Sequence, residues 1–176
     1  WNQQNAKWEN LTDQIMHIGT IGVISMSVNP LNYDDIYITT KNRGYNRGLS
    51  YGMGVWHTTD GGVNWSKETS LPDPDYFLGM DIKTAPYLVN GQSYTVLTSY
   101  DKVYTKLGLN NWQLMTPNGL TSLLTTPWFG PISNLNEIEF ANDIVGTFFL
   151  ASNWYVPGTF ATGVWRFDFN TSTGAI

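Results

Sequence analysis

The sequence predicts an all-β fold of four-stranded antiparallel β-propeller blades, about three of them within 176 residues. Three observations carry this expectation. Helical periodicity is missing, because Gly, Pro or Asn breaks the three- and four-residue apolar spacing in every window of a dozen residues. Short runs that alternate apolar and polar residues recur between turn-rich segments, which is the pattern of strands. These runs also repeat in step with tryptophan, near the ~40–50-residue period of a propeller blade rather than the unrepeated order of a sandwich.

Taken in order, Ile24-Ser25-Met26-Ser27-Val28 alternates and reads as a first strand, followed by a turn-rich stretch from Asn29 to Asp35 and a second strand, Ile36-Tyr37-Ile38-Thr39-Thr40. A long Gly-rich connection, Lys41 to Met53, precedes Gly54-Val55-Trp56-His57. The first unit closes at Trp65, 57 positions after Trp8. The second unit runs through Leu78-Gly79-Met80-Asp81-Ile82, a turn holding Pro86 and Asn90-Gly91, then Tyr94-Thr95-Val96-Leu97-Thr98 and Val103-Tyr104-Thr105, and closes 47 positions later at Trp112. A third unit holds Glu137-Ile138-Glu139-Phe140, Val145 to Leu150 and Gly163-Val164-Trp165-Arg166. The expected blades are thus 9–65, 66–112 and 113–176.

Composition narrows the functions. Charged residues make up 13% of the chain, about half the usual ~25%, and the net charge is -5. Nine Lys and Arg cannot build the basic stripe that a nucleic acid requires, so nucleic acid is excluded as a partner. Absence of cysteine removes disulfides, thiolate nucleophiles and Cys-based zinc sites. No apolar stretch approaches the ~18 residues of a membrane-spanning helix.

The most specific string is Thr58-Thr59-Asp60-Gly61-Gly62-Val63-Asn64-Trp65. Asp60 can accept bonds from backbone amides of its own turn, Gly62 can supply a positive φ, and Trp65 is expected to pack between sheets and lock the hairpin. Thr105 to Trp112 keeps Thr, Gly108 and Trp112 without the Asp, and Arg166 to Asn170 keeps only an acidic residue. The full string resembles the Asp-box, or BNR repeat, of sialidases, sortilin-type receptors, xyloglucanase-type glycoside hydrolases and secreted bacterial propellers. The order Val28-Asn29-Pro30, Asp35 to Thr40 and Gly54-Val55-Trp56 is similar to that of their blades. The resemblance implies that Thr58, Asp60, Gly62 and Trp65 form a folding device between a third and a fourth strand, remote from the ligand face. It implies a larger ring of about seven blades, since three cannot close one. The remaining blades are then expected in the same polypeptide or a larger surface assembly.

In a propeller, ligands meet the loops that join second to third strands and one blade to the next. Here those loops carry Arg43, Tyr45, Arg47, Tyr51, Trp128, Trp154 and Tyr155. Aromatic rings beside Asn, Tyr and Arg suit the apolar faces and hydroxyls of a glycan, and suit a protein ligand equally. Packing of the long loops onto the blades is the alternative role for Trp128 and Trp154. Catalytic constellations are thin. Only Arg43, Arg47 and Arg166 are available for a sialidase-like arginine cluster, and no motif selects a pair among Asp73, Asp75, Asp101, Glu137 and Glu139. Asp73-Pro74-Asp75 reads as a solvated turn, and Glu137 with Glu139 as the outer face of a strand. His17 and His57 have no zinc spacing and no loop has EF-hand order, so neither metal nor cofactor is expected, a weak oxygen-ligand calcium site near the acidic turns being the alternative.

These readings converge on a non-catalytic recognition or adhesion module, secreted or on the cell surface, similar in style to exported proteins of the Bacteroidetes type. A fragment of a propeller glycoside hydrolase, with its catalytic acids mostly outside the segment, is the second reading. A structural spacer in a surface assembly is the third.

Overall fold

A computed structural model describes residues 8–13, 15, 21–43, 50–99, 102–115, 125–126, 130–131, 135–152, 155–156, 159–160 and 163–172. All regular structure among them is strand, and all strand pairing is antiparallel. The first sheet is a meander of β1 (Ile21–Asn29), β2 (Asn32–Arg43), β3 (Ser50–Thr58) and β4 (Ser66–Lys67). The second repeats it with β5 (Asp81–Thr84), β6 (Tyr94–Thr98), β7 (Val103–Leu107) and β8 (Gln113–Met115). Two short strands, β9 (Thr125–Thr126) and β10 (Gly130–Pro131), pair with each other. The third sheet has three strands, β11 (Leu135–Phe140), β12 (Thr147–Ser152) and β15 (Gly163–Asp168). Between its last two strands lies a small hairpin, β13 (Tyr155–Val156) with β14 (Thr159–Phe160). These sheets do not join edge to edge into a closed barrel.

Side-chain parity explains how the sheets stack. Ser27, Tyr37 and His57 are in register on one face of the first sheet, and Ile82, Leu97 and Tyr104 on one face of the second. These two faces meet in an apolar layer with Val55, Phe77 and Trp112. The other face of the second sheet, with Tyr94, Val96 and Val103, meets Ile138, Phe140, Phe148, Leu150 and Phe167 of the third. Tyr94 stacks on Phe169 at 4.5 Å between centroids, and Phe148 on Phe167 at 5.2 Å. The second sheet is therefore buried on both faces, which accounts for the fully buried run of β6.

Innermost strands β1, β5 and β11 lie side by side, joined through polar side chains. Ser25 Oγ accepts the Ile82 N–H at 3.4 Å, Ser27 Oγ the Thr84 N–H at 2.8 Å, and Asp81 Oδ2 the Ile138 N–H at 2.8 Å. Each bond spans 57 residues. The inner strands thus recur at one constant interval, whereas tryptophan spacing suggested 57 and then 47. The three strands run in the same direction, so all second-to-third-strand connections leave at one end. First-to-second turns lie at the other end, where Asn90 and Gly91 both take positive φ, as a two-residue hairpin turn requires.

The connection expected from Lys41 to Met53 is shorter, because strand pairing continues. Lys41 pairs with Gly52, Asn42 with Tyr51 and Arg43 with Ser50, beyond an irregularity at Thr40. Thr40 Oγ1 donates to the Gly54 carbonyl at 2.9 Å. Glycine makes this extension possible by letting backbone meet backbone. A Cβ on Gly52 would fall on the main chain of Phe77 and Leu78, and Gly54, at φ 91°, donates its N–H to the Phe77 carbonyl at 3.1 Å. Gly52→Ala is expected to cost about 1–3 kcal/mol by overpacking, read as a lower denaturant midpoint at unchanged slope. Gly22→Ala, where an added Cβ meets only the Lys41 carbonyl oxygen at 4.0 Å, is the matched control and should shift stability by less than ~0.5 kcal/mol.

Candidate functional site

Of the residues expected on the binding face, Tyr45, Arg47, Trp128 and Trp154 lie outside the described residues. Arg43 and Tyr51 sit in paired strand at the far end of the β2–β3 hairpin, not in a loop. Tyr155 belongs to β13, paired with Phe160. The second-to-third connections of the first and third sheets leave the stack at the same end, so Arg43, Tyr51 and Tyr155 share that end.

The turn from Thr58 to Trp65 joins β3 to β4 at the opposite end. Asp60 organises it. Its Oδ1 accepts the Asn64 N–H at 2.8 Å and the Thr58 hydroxyl at 2.7 Å, and its Oδ2 accepts Asn64 Nδ2 at 2.8 Å. Thr58 Oγ1 accepts the Gly62 N–H at 3.1 Å, and Gly62 takes φ 95°. The Asn64 amides, with the Thr58 hydroxyl, hold the Asp60 carboxyl down at about 2. With both oxygens occupied by its own turn, Asp60 is a fold residue. Trp65 departs from expectation: it is only half-buried, stands apart from both apolar layers, and donates Nε1–H to the Leu11 carbonyl at 2.8 Å. It ties the preceding segment to the turn. Its counterpart Trp112 is buried between sheets.

Sequence reasoning missed the most concentrated chemistry among the described residues, a charge network buried between the first and second sheets. His57 Nε2 lies 2.7 Å from Asp35 Oδ1, and its Nδ1 lies 3.4 Å from Glu68 Oε1. Lys106 donates to both oxygens of Glu68, at 2.7 and 2.8 Å, and Trp112 Nε1 donates to Oε2 at 3.1 Å. The His57 ring stacks on Tyr37 at 3.9 Å and 1°. Lys106 Nζ sits 5.5 Å from the Tyr37 ring centre and 5.7 Å from that of Trp112. With His57 protonated, two cations and two carboxylates balance in charge.

Burial opposes ionisation of all three acid–base groups here, but their partners outweigh it. Bonds to Asp35 and Glu68, and then their charges, raise the His57 pKa. His57 and Asn29 hold Asp35 low, while His57 and Lys106 hold Glu68 low. Burial, and then the charges of Glu68 and Asp35, push the Tyr37 phenol far up, so it stays neutral. With a carboxylate facing each ring nitrogen, the charged form of His57 is favoured and both nitrogens are engaged.

This network sets a pH dependence whose sign follows from linkage. His57, with a raised folded pKa, stabilises fully below the ordinary value of 6.5 and progressively less as pH rises through the folded value. Asp35 and Glu68 stabilise above their ordinary 3.8 and 4.5, and lose this as pH falls through their depressed values. Melting temperature is expected to peak between those limits and to decline on the alkaline side. His57→Gln should abolish the alkaline decline in thermal unfolding from pH 5 to 9.

Among the described residues, no group of three or more His, Asp or Glu is arranged to hold a metal ion, and no helix is long and apolar enough to cross a membrane. No protein-family model matches the chain, and no curated protein matches it.

Proposed function

We propose that this chain is a run of blades from an Asp-box β-propeller of a secreted or cell-surface protein, and that it recognises a glycan or protein ligand without catalysis. The observation that carries this reading is the common end at which the second-to-third connections leave three stacked sheets. Arg43, Tyr51 and Tyr155 share that end, and Tyr45, Arg47 and Trp154 belong in sequence to the same connections. The Asp60 turn at the opposite end supports the family reading through its bonding to Thr58 and Asn64. Occupation of both His57 ring nitrogens by carboxylates supports a structural rather than catalytic use of the main buried ionisable cluster.

The test is a glycan array with the purified chain, together with assays for sugar release from β-glucan and sialosides. Saturable binding without turnover, lost in Arg43→Ala and Tyr51→Ala while melting temperature holds, is the expected result. Release of reducing ends would overturn the reading in favour of a glycoside hydrolase. Loss of folding in Trp128→Ala and Trp154→Ala would remove those two residues from the binding face.

A further inference from the structure

A cleft of about 220 Å³ opens where the innermost strands end, walled by Val28 in β1, Pro30 after β1, Pro86 after β5 and Phe140 in β11. It lies at the end opposite the β2–β3 connection. Inward main-chain N–H groups of β5 and β11 are taken by side chains one sheet back, as Ser25, Ser27 and Asp81 take those of Ile82, Thr84 and Ile138. Lys83 breaks this series. It stands two residues beyond Asp81, as Phe140 stands two beyond Ile138, and an ammonium group offers no acceptor.

The direction of the Phe140 amide follows from its neighbours. Ala141 N–H bonds across the sheet to the Thr147 carbonyl at 3.1 Å, and antiparallel ladders alternate, so Phe140 N–H points inward like that of Ile138. Neither the Phe140 amide nor the Lys83 ammonium has a partner among the described residues. Backbone donors are almost always satisfied, and two unmatched donors on one cleft select an acceptor-only group. Glu139, the cleft's one acid, is in register with Phe149 and Arg166 on the outer face of the third sheet. Ser27, Thr84 and Asn142 also line the cleft, and exposed Leu31 and Leu88 lie on the turns that follow β1 and β5.

We propose that this cleft binds a carboxylate carried on an extended acidic peptide, held by the Lys83 ammonium and the Phe140 N–H, with flanking apolar side chains against Val28, Pro30 and Pro86. A carboxylate presents two acceptor oxygens and no donor, which matches both groups. The site is independent of the loop-end reading, being at the other end of the stack, so either can fail alone.

The experiment titrates the ¹⁵N-labelled chain with N-acetyl-Leu-Asp-Leu-amide, which offers a side-chain carboxylate, and with N-acetyl-Leu-Asn-Leu bearing a free C-terminus. N-acetyl-Leu-Asn-Leu-amide is the uncharged control. The expected result is a saturable shift of the Phe140 amide resonance with one or both carboxylate peptides and none with the control. Binding should weaken at least tenfold in Lys83→Met and return in Lys83→Arg, with both spectra remaining well dispersed. If Lys83→Met does not fold, Lys83→Gln replaces it. Absence of a saturable shift with either carboxylate peptide, or binding unchanged in the neutral variants, would overturn the proposal.

Discussion

Glu68→Ala is expected to lower unfolding free energy by about 3–5 kcal/mol, the usual cost of removing one partner from a buried ion pair. Glu68 takes both short bonds from Lys106 and one from the Trp112 indole, and it faces His57 at 3.4 Å. Without it, an ammonium whose side chain is 6% exposed stays between two sheets against the faces of Tyr37 and Trp112, with the Asp35 charge acting on it without a direct bond. Such ring contacts supply about 2 kcal/mol when desolvated, too little to offset the loss of a carboxylate. The Glu68→Leu/Lys106→Met double variant should regain much of the loss, because it removes the stranded charge along with its partner. Guanidinium titration at pH 6 reads both. The gap between wild type and Glu68→Ala should narrow in acid, once pH passes below the depressed Glu68 pKa. A cost under about 1 kcal/mol at pH 6 would mean that solvent screens the network as it does a surface pair.

Much of the strand order was legible in the sequence because each strand carries its own alternation. The runs at Ile24–Val28, Ile36–Thr40, Tyr94–Thr98 and Val103–Thr105 all fall inside strands. The Asp60 turn was legible for the same local reason, since the bonds of the Asp60 carboxylate reach no farther than four residues. Features that depend on stacking were not. Lys41, Asn42 and Arg43 read as loop because they are polar and lie next to glycines. They are strand because Gly52 and Gly54 admit the main chain of Phe77 against β3. Trp65 and Trp112 occupy equivalent places in their units, yet only Trp112 is covered by a facing sheet. Glu68 and Lys106 are 38 residues apart and read singly as solvated charges. One signal was available in register: Lys106 shares its sheet face with buried Thr84 and Thr95, an unusual place for a lysine unless an acid meets it. Arg43 and Tyr51 likewise read as loop residues, and only the continued pairing of β2 with β3 places them on strands.

Asp81→Ala is expected to loosen the junction of all three sheets, at about 1–3 kcal/mol for each donor left unpaired. Asp81 is 7% exposed; its Oδ1 takes the Ser25 hydroxyl of β1 and its Oδ2 the Ile138 amide of β11. The Ser25 hydroxyl can rotate toward another acceptor. The Ile138 amide cannot, because the alternation of the β11–β12 ladder turns it away from β12. Hydrogen exchange therefore separates the two contributions. Exchange at Ile138 should quicken by about fivefold to more than a hundredfold, the rate equivalent of 1–3 kcal/mol. Val55, buried in the layer between the first and second sheets, should move only with global stability. Asp81→Asn should fall between the two, since its amide keeps one acceptor but must turn a donor toward Ser25 or Ile138. Exchange at Ile138 no faster than at Val55 would show that apolar layers alone hold the inner strands together, with the Asp81 bonds adding register but not stability.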